Sequence, residues 1–168
     1  LLDAEQSRIF LQEKDLDFAL SFDGLRLRMN LARERGQIKI TARIISNHKV
    51  SLEEVNMPRI VQNLLHLRQG LILITGPAGS GKSTSLAAMI NYINDNLNAS
   101  IVTLEDPIEY IFEPRNSIIA QRELGGDMNS FSAGLKHVLR QDPNVIMIGE
   151  MRDLETVSAA ITLAETGH

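Results

Sequence analysis

The chain has 168 residues, of which 43% are hydrophobic and 23% are charged, and it contains no cysteine. This composition is ordinary for a globular chain with a buried core, and it excludes a disulfide scaffold or a thiolate metal site within these residues. The net charge of −4 and the scarcity of aromatic residues argue against nucleic acid as the main partner, because such binders usually carry a basic excess or stacking rings.

The two ends of the sequence predict a fragment of a longer protein, cut at both ends. The first residues, LLDAEQSRIF, lack Met and do not resemble a signal peptide, and the last, AETGH, stop just past a predicted helix. No apolar run approaches the ~18 residues of a membrane span.

The first third of the chain alternates hydrophobic and polar residues with a period of two, which is typical of strands. The alternating runs are 16–22, 25–32 and 37–45, and a short helix is expected around residues 4–13. Asp23-Gly24 separates the first two runs and predicts a two-residue hairpin turn. Such a turn pairs Phe22 with Leu25 and puts the hydrophobic residues of both strands on one face. A small antiparallel sheet is therefore expected.

The other face of this predicted sheet is basic. Its cationic residues are Arg26, Arg28, Lys39 and Arg43. One interpretation is a solvated face that protects the sheet edges from pairing with other chains. The other interpretation is a set of arginines that contact an anion.

A linker is expected at residues 47–51, between an N-terminal domain at residues 1–46 and a second domain at residues 52–168. Ser51 and Glu54 form a capping-box pattern that predicts a helix start. A further helix is expected from Pro58 to Gly70.

From Gly70 onward, short apolar runs alternate with helical patterns. Strands are expected at 71–75, 101–104 and 145–148, and helices at about 82–95, 130–140 and 153–166. Continuously apolar strands separated by helices predict βαβ units and a parallel sheet covered on both faces. The fold class is therefore α/β, with a smaller α+β piece in front.

Residues 76–83, GPAGSGKS, match the phosphate-loop pattern G-x-x-x-x-G-K-[ST]. The loop follows an apolar run and opens a helical run, as this motif requires. Its glycines let successive backbone N–H groups turn inward around a phosphate, and the helix start adds the positive end of its dipole. Lys82 would contact the terminal phosphates of a nucleotide, and the Ser83 hydroxyl would bind Mg²⁺.

Carboxylates follow two of the predicted parallel strands, at the edge where ligands bind in such sheets. Glu150 follows strand 145–148, where it would hold a Mg²⁺-bound water or polarise the attacking water. Glu105, Asp106 and Glu109 follow strand 101–104, and one of these acids would activate water. Their spacing does not say which one, and helix-capping or solvated roles remain as alternatives.

His168 follows Gly167, which is expected to end the last helix. A histidine at the start of the next strand is a candidate sensor of the terminal phosphate. A surface position is the alternative interpretation.

Four ordered motifs resemble the secretion and type IV pilus motor ATPases, and in particular the PilT-like retraction group. They are the phosphate loop GPAGSGKST, the acidic box TLEDPIEY, the glutamate motif VIMIGEMRDLET and the histidine box AETGH. The segment 120–144 between acidic box and glutamate motif is also similar to the family. GEMRD together with QREL resembles the retraction branch more than the assembly branch, in which GEIRD is common.

The resemblance implies a truncated P-loop, RecA-like core preceded by part of a PAS-like domain. It implies a cytoplasmic ATPase at the inner membrane that forms a homo-hexamer, works with a pilus inner-membrane platform protein and does not bind nucleic acid. ATP and Mg²⁺ would be bound by the loop residues Gly76, Pro77, Ala78, Gly79, Ser80, Gly81, Lys82, Ser83 and Thr84. Glu109 or Glu105 would activate water, Glu150 would belong to the metal site, and His168 to the histidine box. Arginines of the N-terminal domain, among them Arg26, Arg28, Arg35 and Arg43, would reach ATP.

Three alternative functions are compatible with these residues. An assembly or type II secretion ATPase would share all four motifs. A DNA motor would share the phosphate loop, but its basic or aromatic strand-contacting loops are not found. A regulatory module would bind ATP without hydrolysing it.

Overall fold

The computed structural model describes residues 2–45 and 48–168, which form two compact units, Leu1–Asn47 and His48–His168. Residues 46 and 47, the last residue of the predicted N-terminal domain and the first of the predicted linker, lie outside the described residues. The described helices include none that is both long and apolar enough to cross a membrane.

The first unit is a helix followed by an antiparallel sheet. Helix α1 spans Ala4–Glu13, and the strands are β1 (Asp15–Phe22), β2 (Leu25–Glu34) and β3 (Gln37–Ile45), in the order β1-β2-β3. The predicted pairing of Phe22 with Leu25 is confirmed. Asp23 and Gly24 both have positive φ, at 50° and 73°, as a tight two-residue hairpin turn requires.

One face of this sheet carries the core of the first unit. Phe10 of α1 packs there with Met29 and Leu31 of β2, and all three side chains are buried. On the opposite face, Arg28 and Arg43 are direct cross-strand partners. Because like charges placed opposite each other repel, this basic pair is not a stabilising feature of the sheet.

Residues 52–56 form a turn in place of the helix that the capping box predicts. The Ser51 N–H donates to the Glu54 carboxylate at 3.0 Å, and the Glu54 N–H donates to Ser51 Oγ at 3.2 Å, so both capping-box hydrogen bonds are present. The turn nevertheless ends at residue 56, and the next helix, α2, spans Ile60–Leu65. The prediction of a helix start at Ser51 is therefore wrong, since the reciprocal bonds also stabilise an isolated turn.

The second unit is an α/β core. Its remaining elements are α3 (Lys82–Asn96), β4 (Ser100–Glu105), β5 (Ile118–Glu123), α4 (Phe131–Val138), β6 (Val145–Ile148) and α5 (Leu154–Glu165), with a 3₁₀ turn at Leu139–Gln141. The strands are parallel in the order β5-β4-β6. Strand β4 is central, and helix α3 covers one face of the sheet while α4 and α5 cover the other. The predicted parallel sheet with two covered faces is confirmed.

Two predictions about this sheet need correction. Residues 71–75 are not assigned to a strand, although their apolar pattern predicts one, and β5 was not predicted. The side chains of residues 71–73 are 43–59% exposed and border an apolar cavity of about 480 Å³ beside β6. An apolar pattern predicts that a segment is buried. It does not show whether a neighbouring strand is available to form hydrogen bonds with that segment.

Candidate functional site

The phosphate loop leads directly into helix α3. Gly79 and Gly81 have φ values of 75° and 87°, which other residues adopt only with strain, and Gly81 is the N-cap of the helix. No side chain caps the first turn, so its N–H groups and the positive end of the helix dipole face the loop. This backbone arrangement is suited to an anion.

Lys82 lies across the loop. Its Nζ donates to the carbonyl oxygens of Gly76 and Pro77, at 3.1 and 2.9 Å. These bonds keep the ammonium group close to the loop backbone. Lys82 therefore adds a full positive charge to the anion-binding backbone.

The acidic loop begins at the end of β4 with Glu105, whose side chain is only 6% exposed. Its carboxylate accepts hydrogen bonds from Thr103 Oγ1 at 2.6 Å, from Gln121 Nε2 at 3.0 Å and from the Glu109 backbone. Burial raises the pKa of the Glu105 carboxyl above its ordinary value, and repulsion by Glu109 adds to this, while the hydrogen bonds act in the opposite direction. Glu109 itself is exposed.

The acidic loop is connected to the phosphate-loop helix by one hydrogen bond. Thr84 Oγ1, in the first turn of α3, lies 3.0 Å from the Tyr110 hydroxyl. Thr84 adjoins the predicted Mg²⁺ ligand Ser83, and Tyr110 adjoins Glu109. The structure thus brings the phosphate loop and the acidic loop together, as their motifs predict.

The end of β6 lies against the end of β4. The Gly149 N–H donates to the Leu104 carbonyl at 2.8 Å, and a Cβ on Gly149 would lie 3.4 Å from Glu105 Cα. Glu150 follows at once, with its side chain 29% exposed and its Oε1 2.8 Å from Arg152 Nε. Glu105 and Glu150 therefore lie at the same edge of the parallel sheet.

His168 lies against Gly70 and the end of helix α5. Its carbonyl accepts a hydrogen bond from the Gly70 N–H at 3.0 Å, and its Nδ1 lies 3.3 Å from the Leu163 carbonyl. Gly70 is six positions before the phosphate loop, at the other end of the apolar segment 71–75. A role of His168 as a phosphate sensor stays a prediction.

The predicted anion-contacting arginines belong to the first unit. Arg26 and Arg28 are half-buried on β2, Arg43 is exposed on β3, and Arg35 has a φ of 52° in the β2–β3 turn. The structure describes this unit by itself, and the contact of these arginines with a nucleotide stays a prediction.

Comparison with known proteins decides the family. Residues 3–168 match the family described as Type II/IV secretion system protein. The chain belongs to this family.

Relatives within the type II/IV secretion family act in pilus movement. A twitching motility protein of Neisseria gonorrhoeae is 44% identical, and the type IV pilus retraction ATPase PilT of Pseudomonas aeruginosa is 39% identical, each over the whole chain. The crystal structure of the pilus retraction motor PilT with bound ADP is 43% identical and has a TM-score of 0.97, with the whole chain covered. The chain spans 45%, 49% and 49% of these three proteins, about half the length of each.

Two residues of this family member were missed by the sequence reasoning because β5 was missed. Gln121 Nε2 donates to the Tyr110 carbonyl at 2.8 Å, and Gln121 Oε1 accepts from the Phe112 N–H at 2.9 Å. Glu123 Oε2 accepts from the Ile108 N–H at 3.1 Å. Both side chains on β5 therefore hold the backbone of the acidic loop. The alternation of Gln121 and Glu123 was the only indication of a strand in the sequence. It was not sufficient, because a strand with polar residues has the composition of a loop.

Proposed function

We propose that the chain is the nucleotide-binding half of an ATP-hydrolysing motor that powers type IV pilus retraction. The observation that carries this proposal is the contact between Thr84 and Tyr110, which joins the phosphate loop to the acidic loop. A site that positions an acid beside a triphosphate needs both loops at one place. The similarity to pilus retraction proteins supports the direction of movement.

Lys82, with the loop N–H groups, would stabilise the phosphates, while Ser83 and Glu150 would hold Mg²⁺. Among the described residues, no group of three or more His, Asp or Glu side chains is arranged to bind a metal ion. Magnesium in nucleotide sites does not require such a cage, because it is bound by one or two protein ligands, phosphates and water. The exposed Ser83 at the start of α3 and Glu150 at the carboxyl end of β6 would be these two ligands.

Glu109, rather than Glu105, is the proposed water-activating base. Glu105 is buried and its carboxylate accepts three hydrogen bonds, so it has little access to an attacking water. Glu109 is exposed and lies in the same loop. Glu105 would instead stabilise the loop that carries Glu109.

In the complete protein, we expect a homo-hexamer acting on an inner-membrane platform protein. Arginines of the first unit would reach ATP, and the linker at residues 47–51 would act as the hinge that converts hydrolysis into movement. Arg26, Arg28 and Arg43 are the candidates that the sequence provides.

The test uses Lys82→Ala and Glu150→Ala in the full-length protein, with Lys136→Ala as a control on an exposed lysine of α4. The first two variants should lose ATP turnover, whereas the control should keep it. If turnover survives both changes, the site is misassigned. A parent protein that binds ATP tightly without releasing phosphate would identify a non-hydrolysing module.

The phenotype of cells that carry a variant distinguishes a retraction ATPase from an assembly ATPase. If the protein retracts pili, cells with Lys82→Ala should keep surface pili and lose twitching motility. A loss of surface pili would identify an assembly ATPase instead. Salt-dependent binding of single-stranded DNA would favour the DNA motor.

A further inference from the structure

The Gln121 side chain connects the two ends of the acidic loop. Its Nε2 donates to Glu105 Oε1, where β4 ends, and to the carbonyl of Tyr110. Its Oε1 accepts from the N–H of Phe112, further along the loop. The amide of Gln121 therefore links Glu105, at the start of the loop that carries Glu109, to Tyr110 and Phe112, which follow Glu109.

The amide uses both of its N–H donors and its oxygen in a combination that the side chains of glutamate and methionine cannot reproduce. Two N–H donors point to two acceptors, and one oxygen faces a backbone donor. A glutamate at this position has no donor when ionised and would face the Glu105 carboxylate with a like charge. A methionine of similar length makes none of these bonds.

The bonds lie on both sides of Glu109. Glu105 precedes it by four residues, and Tyr110 follows it directly. Tyr110 also meets Thr84 at the phosphate-loop helix. The amide at Gln121 consequently fixes the backbone that carries Glu109, and its three hydrogen bonds go to Glu105, Tyr110 and Phe112 and not to the phosphate loop.

We propose that Gln121 is a positioning residue for hydrolysis, which sets the place of Glu109 relative to the bound nucleotide. This inference rests on the proposed function, because it takes Glu109 to be the base. Gln121 would affect the rate by holding Glu109 in position, because a displacement of about 1 Å at a reacting group can cost about 10²-fold in rate. Nucleotide affinity depends on the phosphate loop and is left intact.

The experiment compares Gln121→Glu and Gln121→Met with the full-length parent and with Glu109→Gln. The measured quantities are kcat and KM for ATP, the affinity for a fluorescent ADP analogue, and the thermal unfolding temperature. Both Gln121 variants should lower kcat by roughly 10²-fold with near-parental KM and ADP affinity; they should stay folded at the assay temperature, with an unfolding temperature below that of the parent because hydrogen bonds are lost. This split between kcat and affinity is not expected of a residue that only supports the fold.

An exchange of the two partners adds a second test. In the double variant Glu105→Gln/Gln121→Glu, the new amide at position 105 can donate to the new carboxylate at position 121. Its kcat should exceed that of Gln121→Glu alone, because residues in contact give non-additive effects.

The outcomes distinguish the inference from the function beneath it. Parental kcat in both Gln121 variants, with Glu109→Gln inactive, overturns the inference and leaves the proposed function intact. Loss of ADP affinity or of folding in both variants, without rescue by the exchange, also overturns it and makes Gln121 a structural residue. If Glu109→Gln keeps parental kcat, the assignment of the base fails first.

Discussion

The hydroxyl oxygens of Thr84 and Tyr110 lie 3.0 Å apart, and this hydrogen bond joins the first turn of α3 to the acidic loop. Thr84 is next to Ser83 in the phosphate loop motif, and Tyr110 is next to Glu109. Because of this bond, a displacement of one loop should also displace the other. In energetic terms, the two loops are expected to be coupled.

The first prediction measures that coupling with Thr84→Val and Tyr110→Phe. Each change removes one hydroxyl and should cost about 0.5–1.5 kcal/mol of unfolding free energy, the usual net value of a hydrogen bond. The double variant should cost little more than either single one, because both changes remove the same bond. Urea unfolding of the four proteins provides the measurement, and fully additive costs would contradict it.

The second prediction concerns Gly149, between the ends of β4 and β6. A Cβ there would lie 3.3 Å from the Leu104 carbonyl oxygen and 3.4 Å from Glu105 Cα, both backbone atoms that move only with their strand. Gly149→Ala should therefore separate the two strand ends and cost about 1–3 kcal/mol of stability, as overpacking does. ATP turnover should fall as well, because Glu105 and Glu150 would shift relative to each other.

Gly126→Ala is the matched control for this change. No heavy atom lies within 4 Å of a Cβ at Gly126, and its φ is not positive. Thermal unfolding and ATP turnover should both stay near the parental values. Equal losses in the two alanine variants would show that the contact at Gly149 does not matter.

The sequence predicts most where local chemistry and pattern agree. The Asp23-Gly24 turn and the alternating hydrophobic residues require the same register, and the structure has that register. The capping-box bonds of Ser51 also form, yet no helix follows them. Local hydrogen bonds are thus readable from sequence, whereas their continuation into an element depends on the packing around them.

Strand β5 shows why the rest of the site could not be predicted. It starts with an apolar run of only three residues, 118–120, and continues with Gln121 and Glu123, whose side chains bond to the acidic loop. These polar contacts are made with residues distant in sequence. A functional side chain that replaces a core residue removes the very pattern that would reveal its strand.

The third prediction concerns the acid sensitivity of helix α5. Asp153 is its N-cap and accepts hydrogen bonds from the Thr156 hydroxyl and N–H, both at 2.7 Å, which lower the pKa of its carboxyl below the ordinary 3.8. This contribution to stability is present above pH 3.8 and is lost as the pH falls through the lowered pKa. Asp153→Ala should therefore destabilise the protein above that pH, with a difference that shrinks on acidification.

Asp153→Asn is the control for this prediction, because asparagine also caps helices but carries no titrating charge. Its stability should stay closer to that of the parent above pH 3.8, and it should show less dependence on pH in this range. Denaturant unfolding on both sides of pH 3.8 measures the three proteins. A cost of Asp153→Ala that is independent of pH would mean that the charge plays no part.

The fourth prediction has the opposite sign and concerns Glu105. Burial raises the pKa of this carboxyl above 4.5, so the folded state binds its proton more tightly than the unfolded state. The stability that it contributes is fully present below pH 4.5 and is lost as the pH rises through the raised pKa.

In Glu105→Gln the side chain is always neutral, so the stability of the variant relative to the parent should increase as the pH rises from 4.5. Glu113→Gln, which changes an exposed carboxylate further along the same segment, is the matched control. Denaturant unfolding over this range decides the matter, and a relative stability that falls with pH would mean that the hydrogen bonds to the ionised Glu105 outweigh its burial.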